Sequence, residues 1–150
     1  MIKSSTYEKK GEQLFFKGKY EEAIKDLDKA IELNPENSSN WEFRGSCKYY
    51  LEQYQEAIKD LDKAIKLDPE NSSNWVFRGS CKYYLEQYQE SIKDLDKAIE
   101  LDPENSSNWE FRGWSKSSLK QYEEAIKDLD KAIELDPENS SNWELRGICK

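Results

Sequence analysis

The chain has 150 residues, and 31 acidic side chains against 23 basic ones give it a net charge of −8. This length suits one ordinary domain, and the acidic balance disfavours nucleic acid and anionic membranes, which both recruit basic patches. Charged residues make up 36% of the chain, but aromatic residues reach 13% and the apolar positions recur at helical spacing. That pattern favours a folded protein over a disordered one.

The sequence shows no targeting or membrane segment. No apolar run is long enough to cross a bilayer, and no signal-peptide core follows Met1. We therefore expect a cytoplasmic protein, with a leader removed before this start as the open alternative.

Tryptophans recur every 34 residues, at Trp41, Trp75, Trp109 and Trp143. Residues 41–74 and 75–108 differ at three positions: Glu42/Val76, Ala57/Ser91 and Lys66/Glu100. A fixed period of this length predicts an array whose units bury their apolar faces by stacking on one another. We place the periods at 4–37, 38–71, 72–105 and 106–139, with a partial fifth at 140–150.

Each period is predicted to begin with a helix, which in the second period runs from about Ser39 to Leu51. Asn37 or Ser39 caps its start, and Ser39 with Glu42 fits a capping box, in which the two side chains satisfy free backbone amides. The same spacing recurs at three other places: Ser5/Glu8, Ser107/Glu110 and Ser141/Glu144. Apolar side chains lie on two sides of this helix, so we expect it to be sandwiched between neighbours.

A turn at residues 52–53 leads to a second helix, predicted from about Tyr54 to Leu67. Pro69 ends it, because proline lacks the amide donor and restricts the residue before it. The helix is amphipathic, with one apolar face at i, i+3, i+4 spacing: Tyr54, Ala57, Ile58, Leu61, Ala64 and Ile65. Its charged side is predicted to be a solvated face.

The three cysteines, Cys47, Cys81 and Cys149, are separated by one and two whole periods. Equivalent points of adjacent repeats lie two helices apart, which is too far for a disulfide. The chain has no histidine and no CxxC spacing. We interpret the cysteines as small buried residues, and we expect no metal and no cofactor.

Six residues of the second period are spaced like the signature of the tetratricopeptide repeat: Trp41, Gly45, Tyr54, Ala57, Ala64 and Pro69. The other periods match it in register, so the resemblance covers almost the whole chain. It implies an all-α fold, a right-handed α-α superhelix of four helix-turn-helix repeats plus a partial fifth first helix. The family binds many unrelated partners, so the resemblance does not identify this one.

The turn between the helices departs from the family pattern, which often has glycine there. Gly18 fits, but Glu52, Glu86 and Lys120 occupy the equivalent positions. A left-handed conformation at such residues costs about 1–2 kcal/mol, so we expect these turns to avoid positive φ.

Arginine also replaces a leucine that is frequent in the family. A partly covered arginine needs a partner, and an aspartate recurs at one offset in the facing helix. We therefore predict three structural ion pairs: Arg44–Asp60, Arg78–Asp94 and Arg112–Asp128.

The resemblance implies that the exposed face of each first helix lines an inner groove. We expect the peptide-binding residues to be Phe43, Ser46, Tyr49, Tyr50, Phe77, Ser80, Tyr83, Tyr84, Phe111 and Trp114. Tyrosine suits protein recognition because it offers a large rigid area and a polar tip. The alternative is that these rings pack between repeats; Phe43 and Phe77 favour the core, and Tyr50 and Tyr84 favour the groove.

Some members of the family bind the acidic C-terminal tail of heat-shock chaperones through lysine, arginine and asparagine side chains. The matching positions here have none of those residue types: Glu8, Glu12, Phe43, Ser73 and Phe77. Carboxylates at two of them would repel the tail, so we predict that it is not a partner.

The fourth period differs most from the others. Relative to the third, Trp114 replaces Ser80, Ser115 replaces Cys81, and Ser117 and Ser118 replace two tyrosines. These changes indicate a locally different groove, although drift after duplication explains them almost as well.

The leading hypothesis for function is a non-enzymatic scaffold that binds a protein or peptide. The alternative is a self-associating array, a homo-oligomer assembled end to end through Trp143, Leu145 and Ile148, which lack a covering second helix. An enzyme is disfavoured, because no nucleophile stands beside a recognisable base and no glycine loop is suited to phosphate.

Overall fold

The computed structural model describes all 150 residues, Met1–Lys150, as nine α-helices without a strand. The helices are α1 (Ser4–Phe16), α2 (Tyr20–Leu33), α3 (Ser38–Tyr50), α4 (Tyr54–Leu67), α5 (Ser72–Tyr84), α6 (Tyr88–Leu101), α7 (Ser106–Ser118), α8 (Tyr122–Leu135) and α9 (Ser140–Cys149). None of them is both long and apolar enough to span a membrane. The all-α prediction is confirmed, and the second helix of the second period has the predicted bounds.

The first helices start one residue earlier than predicted, and the cap explains why. The Asn37 side chain accepts a hydrogen bond from the backbone amide of Ser39 at 3.1 Å, which makes Asn37 the N-cap of α3. The predicted capping box of Ser39 and Glu42 is wrong. Glu42 instead accepts a hydrogen bond from Asn71 Nδ2 at 2.8 Å, because the next period brings its own cap residue within reach.

The chain divides into two compact units, Met1–Phe77 and Arg78–Lys150. In the first unit, α1 packs against α2, α2 against α3, and α3 against α4. In the second unit, α6 packs against α7, α7 against α8, and α8 against α9. Within each unit these consecutive helices therefore pack on one another, as expected for a repeat that cannot bury its apolar face alone.

Glycine allows the two helices of one period to pack closely. A Cβ atom on Gly45 would lie 3.0 Å from Leu61 Cγ, and one on Gly11 would lie 2.7 Å from Leu27 Cγ. Leu27 and Leu61 have no exposed surface. The leucine of the second helix thus occupies the space that a larger residue on the first helix would need.

Every signature tryptophan donates its indole N–H to the carbonyl of a proline in the preceding loop. These bonds measure 2.8 Å from Trp41 to Pro35, Trp75 to Pro69 and Trp109 to Pro103, and 2.9 Å from Trp143 to Pro137. The tryptophan therefore anchors the proline loop that ends the second helix, which gives both signature residues a structural role.

The prediction that the turns avoid positive φ is wrong. Glu52, Glu86 and Lys120 have φ of 59°, 61° and 61°, close to the 73° of Gly18. The amide of Glu52 donates to Tyr49 O at 2.9 Å, and the amide of Gln53 donates to Lys48 O, five residues back, at 2.8 Å. These two bonds define a Schellman motif, which requires a left-handed residue whatever its side chain.

Candidate functional site

The structure contains the ion pairs that the sequence predicts. Arg44 binds Asp60 through two hydrogen bonds, Nε to Oδ2 at 2.9 Å and Nη2 to Oδ1 at 2.7 Å. The same geometry recurs, with the same distances, between Arg78 and Asp94 and between Arg112 and Asp128. Two parallel bonds to one carboxylate are the strongest arrangement available to a guanidinium.

Each pair belongs to a larger network that sequence reasoning missed. Lys48 Nζ lies 2.8 Å from Asp60 Oδ2, and Arg44 Nη1 lies 2.7 Å from Asp28 Oδ1 in the preceding period. Lys82 and Lys116 repeat the lysine contact in their own periods. The signal was present, because the lysine lies four residues after the arginine and so on the same helix face.

The network encloses a buried aspartate between cations. Asp60 is only 3% exposed, and both of its oxygens are occupied by cations. Burial alone would lower the pKa of Arg44, but the hydrogen bonds and charges of Asp60 and Asp28 raise it above its ordinary value. Arg44 therefore stays charged near neutral pH.

The cysteines are free thiols in buried positions. Burial raises the pKa of Cys47 and of Cys81 to about 12, so both stay protonated at neutral pH. Because the thiolate is the nucleophile and metal ligand, these side chains act as small apolar residues. Cys47 packs with Ala23 and Leu27 in the core of the first unit.

Eight rings form a connected cluster in the first unit, which we call the first aromatic surface: Phe15, Phe16, Tyr20, Phe43, Tyr49, Tyr50, Tyr54 and Phe77. Tyr20 stacks on Tyr50 with ring centroids 4.9 Å apart, and Phe43 meets Phe15 edge to face at 5.3 Å. Phe16 is 71% exposed and Tyr50 is 48% exposed. Mutual packing therefore holds the rings in place while two of them present apolar area to solvent.

Five rings form the second aromatic surface, which lies in the second unit: Tyr83, Tyr84, Tyr88, Phe111 and Trp114. Trp114 contacts Phe111 at 5.0 Å and Tyr83 at 5.7 Å between ring centroids. Tyr84 is 45% exposed. Burial, with a smaller effect of the nearby tyrosines, raises the pKa of Tyr83 above its ordinary value, so its hydroxyl stays a neutral hydrogen-bonding group.

The predicted groove residues separate into surface and interior. Tyr50 and Tyr84 are exposed, whereas Phe43 is half-buried against Ala23, Leu27 and Cys47. Ser46 and Ser80 are each only 2% exposed, so their assignment to the binding surface is wrong. α3 packs against α1, α2 and α4, and a side chain as short as serine does not reach beyond the larger rings on the same helix.

The predicted end-to-end residues also differ in exposure. Trp143 is 49% exposed and Ile148 is 76% exposed, but Leu145 packs against a buried cluster of Ala125, Leu129 and Cys149. Leu145 is thus mainly a core residue of the second unit, while the other two side chains leave apolar area open.

Three family models match the chain. The model for anaphase-promoting complex (cyclosome) subunit 3 matches residues 4–64 and 17–98, and the tetratricopeptide repeat model matches residues 109–139. The protein prenyltransferase alpha subunit repeat matches residues 88–115. No curated protein matches the sequence.

Solved structures match over both units. MamA (residue 41 to the end) from Desulfovibrio magneticus RS-1 has a TM-score of 0.90 at 22% identity, covering 99% of this chain and 84% of its own. YrrB, described as a TPR protein with an unusual peptide-binding site, has a TM-score of 0.82 at 23% identity, covering 95% and 74%. The second TPR domain of human RPAP3, in complex with the HSP70 peptide SGPTIEEVD, has a TM-score of 0.67 at 25% identity, covering 71% and 88%.

Stacked helix pairs of constant length define the class of helical repeat proteins. Within that class, the 34-residue period, the tryptophan–proline bonds and the family matches agree. The chain belongs to the tetratricopeptide repeat family.

Proposed function

We propose that this protein is a non-enzymatic scaffold that binds a peptide or protein segment on its aromatic surfaces. The observation that supports this most directly is the exposure of Phe16, Tyr50 and Tyr84 within clusters of packed rings. Exposed apolar patches of this kind mark interaction sites, and rigid aromatic rings bind with little loss of side-chain entropy.

The chemistry of the remaining side chains supports the same conclusion. The buried aspartates are occupied by arginine and lysine, and the buried thiols of Cys47 and Cys81 are protonated. Peptide recognition is also named for two structural neighbours, YrrB and the RPAP3 domain.

We propose further that an acidic chaperone tail is not the partner. Burial tends to raise the pKa of Glu8, but hydrogen bonds from Ser4, Asn40 and other side chains outweigh it and lower the pKa, so Glu8 is ionised at neutral pH. Titration of the peptide SGPTIEEVD by calorimetry is expected to give no binding at about 100 μM. Saturable binding below that concentration would contradict this exclusion.

Peptide binding by the aromatic surfaces is tested by selecting displayed peptides on the immobilised protein. The affinity of each selected peptide is then measured for the wild type and for three variants. Tyr50→Ala or Tyr84→Ala is expected to weaken binding about tenfold or more, as truncation of an aromatic hot spot does. Tyr122→Ala is the matched control, because Tyr122 is 43% exposed but lies at the start of α8, outside both aromatic surfaces. Peptides that bind all three variants equally would overturn the proposal.

A second candidate function is self-association through α9, favoured by the exposure of Trp143 and Ile148. Gly147 has no atom within 4 Å of an added Cβ, unlike Gly113, whose added Cβ would meet Leu129 at 3.0 Å. Light scattering over a range of concentrations tests it: the mass is expected to rise with concentration and to fall back with Ile148→Asp. A constant monomer mass would exclude this function.

A further inference from the structure

A cleft of about 270 Å³ opens between α7 and α9 in the second unit, lined by Tyr83, Trp114, Ser141, Glu144, Leu145 and Ile148. We propose that this cleft binds one large apolar side chain of a peptide that has a basic residue next to it. The inference deepens the proposed scaffold function, because it assigns a particular subsite and the chemistry of its ligand.

The cleft arises from changes in the fourth period and in the partial fifth. In the first unit, Tyr49 of α3 packs on Phe77 of α5 with ring centroids 5.2 Å apart. The equivalent pair in α7 and α9 is Ser117 and Leu145, and the Ser117 hydroxyl accepts a hydrogen bond from Cys149 Sγ at 3.3 Å. A ring and a phenyl side chain are therefore replaced by two smaller residues, which leaves space where the other periods are filled.

Trp114 lines this space and is not needed for the repeat itself. The four signature tryptophans all donate their indole N–H to a proline carbonyl, but Trp114 Nε1 is shielded from water without an acceptor. A buried donor without an acceptor destabilises the fold. Since serine fills this position in the second and third periods, stability does not explain the tryptophan, whereas an apolar wall for a ligand does.

The size of the cleft points to a single side chain. Pockets for complete small molecules usually measure about 300–1,000 Å³ and bury most of the ligand. A smaller, open cleft walled by Trp114, Leu145 and Ile148 suits one aliphatic or aromatic residue of a peptide whose backbone lies outside.

The charge at the rim of the cleft determines which type of peptide residue can lie next to the apolar side chain. Glu144 is the one charged side chain in the lining; it is exposed, and no cation lies within ion-pair distance of it. The whole chain carries a net charge of −8. A basic residue beside the apolar anchor would complement Glu144, whereas an acidic one would be repelled.

The test uses three capped tetrapeptides as probes: acetyl-Gly-Leu-Arg-Gly-amide, the same peptide with Glu in place of Arg, and the same peptide with Ala in place of Leu. The readout is the indole N–H resonances of the five tryptophans in ¹⁵N-labelled protein. The Leu-Arg peptide is expected to shift the Trp114 resonance saturably and to leave the other four in place. The Glu peptide is expected to bind about two- to fivefold more weakly, the range for one exposed ion pair, and the Ala peptide more weakly still.

Three variants serve as controls, and two of them restore residues that other periods of the chain have at the same positions. Trp114→Ser restores the residue of the second and third periods, identifies the resonance, and removes the apolar wall. Ser117→Tyr with Ser118→Tyr restores the rings of the third period; this variant is expected to close the cleft and abolish binding. Glu144→Lys is expected to reverse the preference between the Arg and Glu peptides.

The outcomes separate this inference from the proposed function. The proposed binding at the cleft is overturned if the Trp114 resonance does not shift up to about 10 mM peptide. It is also overturned if that resonance shifts equally in the Ser117→Tyr, Ser118→Tyr variant. If peptides from the display selection nevertheless depend on Tyr50 or Tyr84, the scaffold function stands without the cleft. If neither dependence is found, both proposals fail.

Discussion

Ser91 Oγ lies 3.0 Å from Ser115 Oγ in the interior of the second unit, although the two residues belong to different periods. Ser91 also lies 2.8 Å from Gly79 O, and Ser115 lies 2.8 Å from Phe111 O. The equivalent positions in the flanking cores hold alanine and cysteine, as Ala23 with Cys47 and Ala125 with Cys149. Two substitutions that look unrelated in the sequence thus form one buried hydroxyl pair.

This pair is expected to be energetically coupled. Each hydroxyl has one proton, so the two protons can serve only two of these three contacts at a time, and the choice at one serine constrains the other. Ser91→Ala or Ser115→Cys alone is expected to lower the free energy of unfolding by about 0.5–1.5 kcal/mol, the value of one hydrogen bond.

The double variant Ser91→Ala with Ser115→Cys restores the apolar pair of the other periods and should be close to wild type, because both partners are replaced together. Urea unfolding of all four proteins gives the coupling energy. Additive effects of the two substitutions would show that the contact is not a coupled pair.

The left-handed turn residues predict stabilising substitutions. Glu52→Gly, Glu86→Gly and Lys120→Gly each relieve a positive φ and should raise the free energy of unfolding by up to about 1 kcal/mol, since glycine lacks the Cβ clash. Gly18→Ala, at φ 73° with no atom within 4 Å of the added Cβ, should lower it by about the same amount. Urea unfolding measures both, and a stabilising Gly18→Ala would refute the argument.

The buried carboxylate of Glu110 predicts a pH dependence of stability. Burial raises its pKa above the ordinary value of 4.5, and the hydrogen bond from Asn139 only partly offsets this. The folded state therefore holds the proton more tightly than the unfolded state, so this group makes stability fall as the pH rises from the ordinary pKa through the raised pKa of the folded state.

Glu110→Gln can still accept the bond from Asn139 but does not titrate. It should be more stable than wild type at pH 7, with the difference vanishing below the unfolded pKa. Glu138→Gln, at an exposed position, is the control. Urea unfolding at several pH values checks this, and a difference that grows as the pH falls would have the wrong sign.

The ion network predicts unequal effects for the two aspartates that bind Arg44. Removal of Asp60 leaves Arg44 and Lys48 partly buried without a counter-charge, so Asp60→Ala should cost about 3–5 kcal/mol. Asp28 is about half exposed, so Asp28→Ala should cost less than about 1 kcal/mol. Hydrogen exchange of the α3 and α4 amides compares the two variants, and equal losses would contradict this hierarchy.

Much of the local structure could be predicted from the sequence. The bounds of α4, the close approach at Gly45 and the Arg44–Asp60 pair follow from features within one period. These features depend on residues close together in the chain: the helical periodicity, the proline that ends a helix and the fixed offset between facing helices. Each can therefore be recognised within one period of 34 residues. Repetition then reinforced the same pattern several times.

The contacts of each side chain outside its own helix pair depend on the tertiary structure. Glu42 binds Asn71 of the next period rather than the start of its own helix. Ser46 is buried, and a cleft lies beside Trp114. The tertiary structure also imposed the Schellman turn on Glu52, because the packed helix pair, rather than local residue preference, determines that conformation. The repeat and its helices follow from the amino-acid pattern within each period. Contacts between periods depend on which neighbouring surface lies within a few ångströms, and a pattern local to one period carries no information about that.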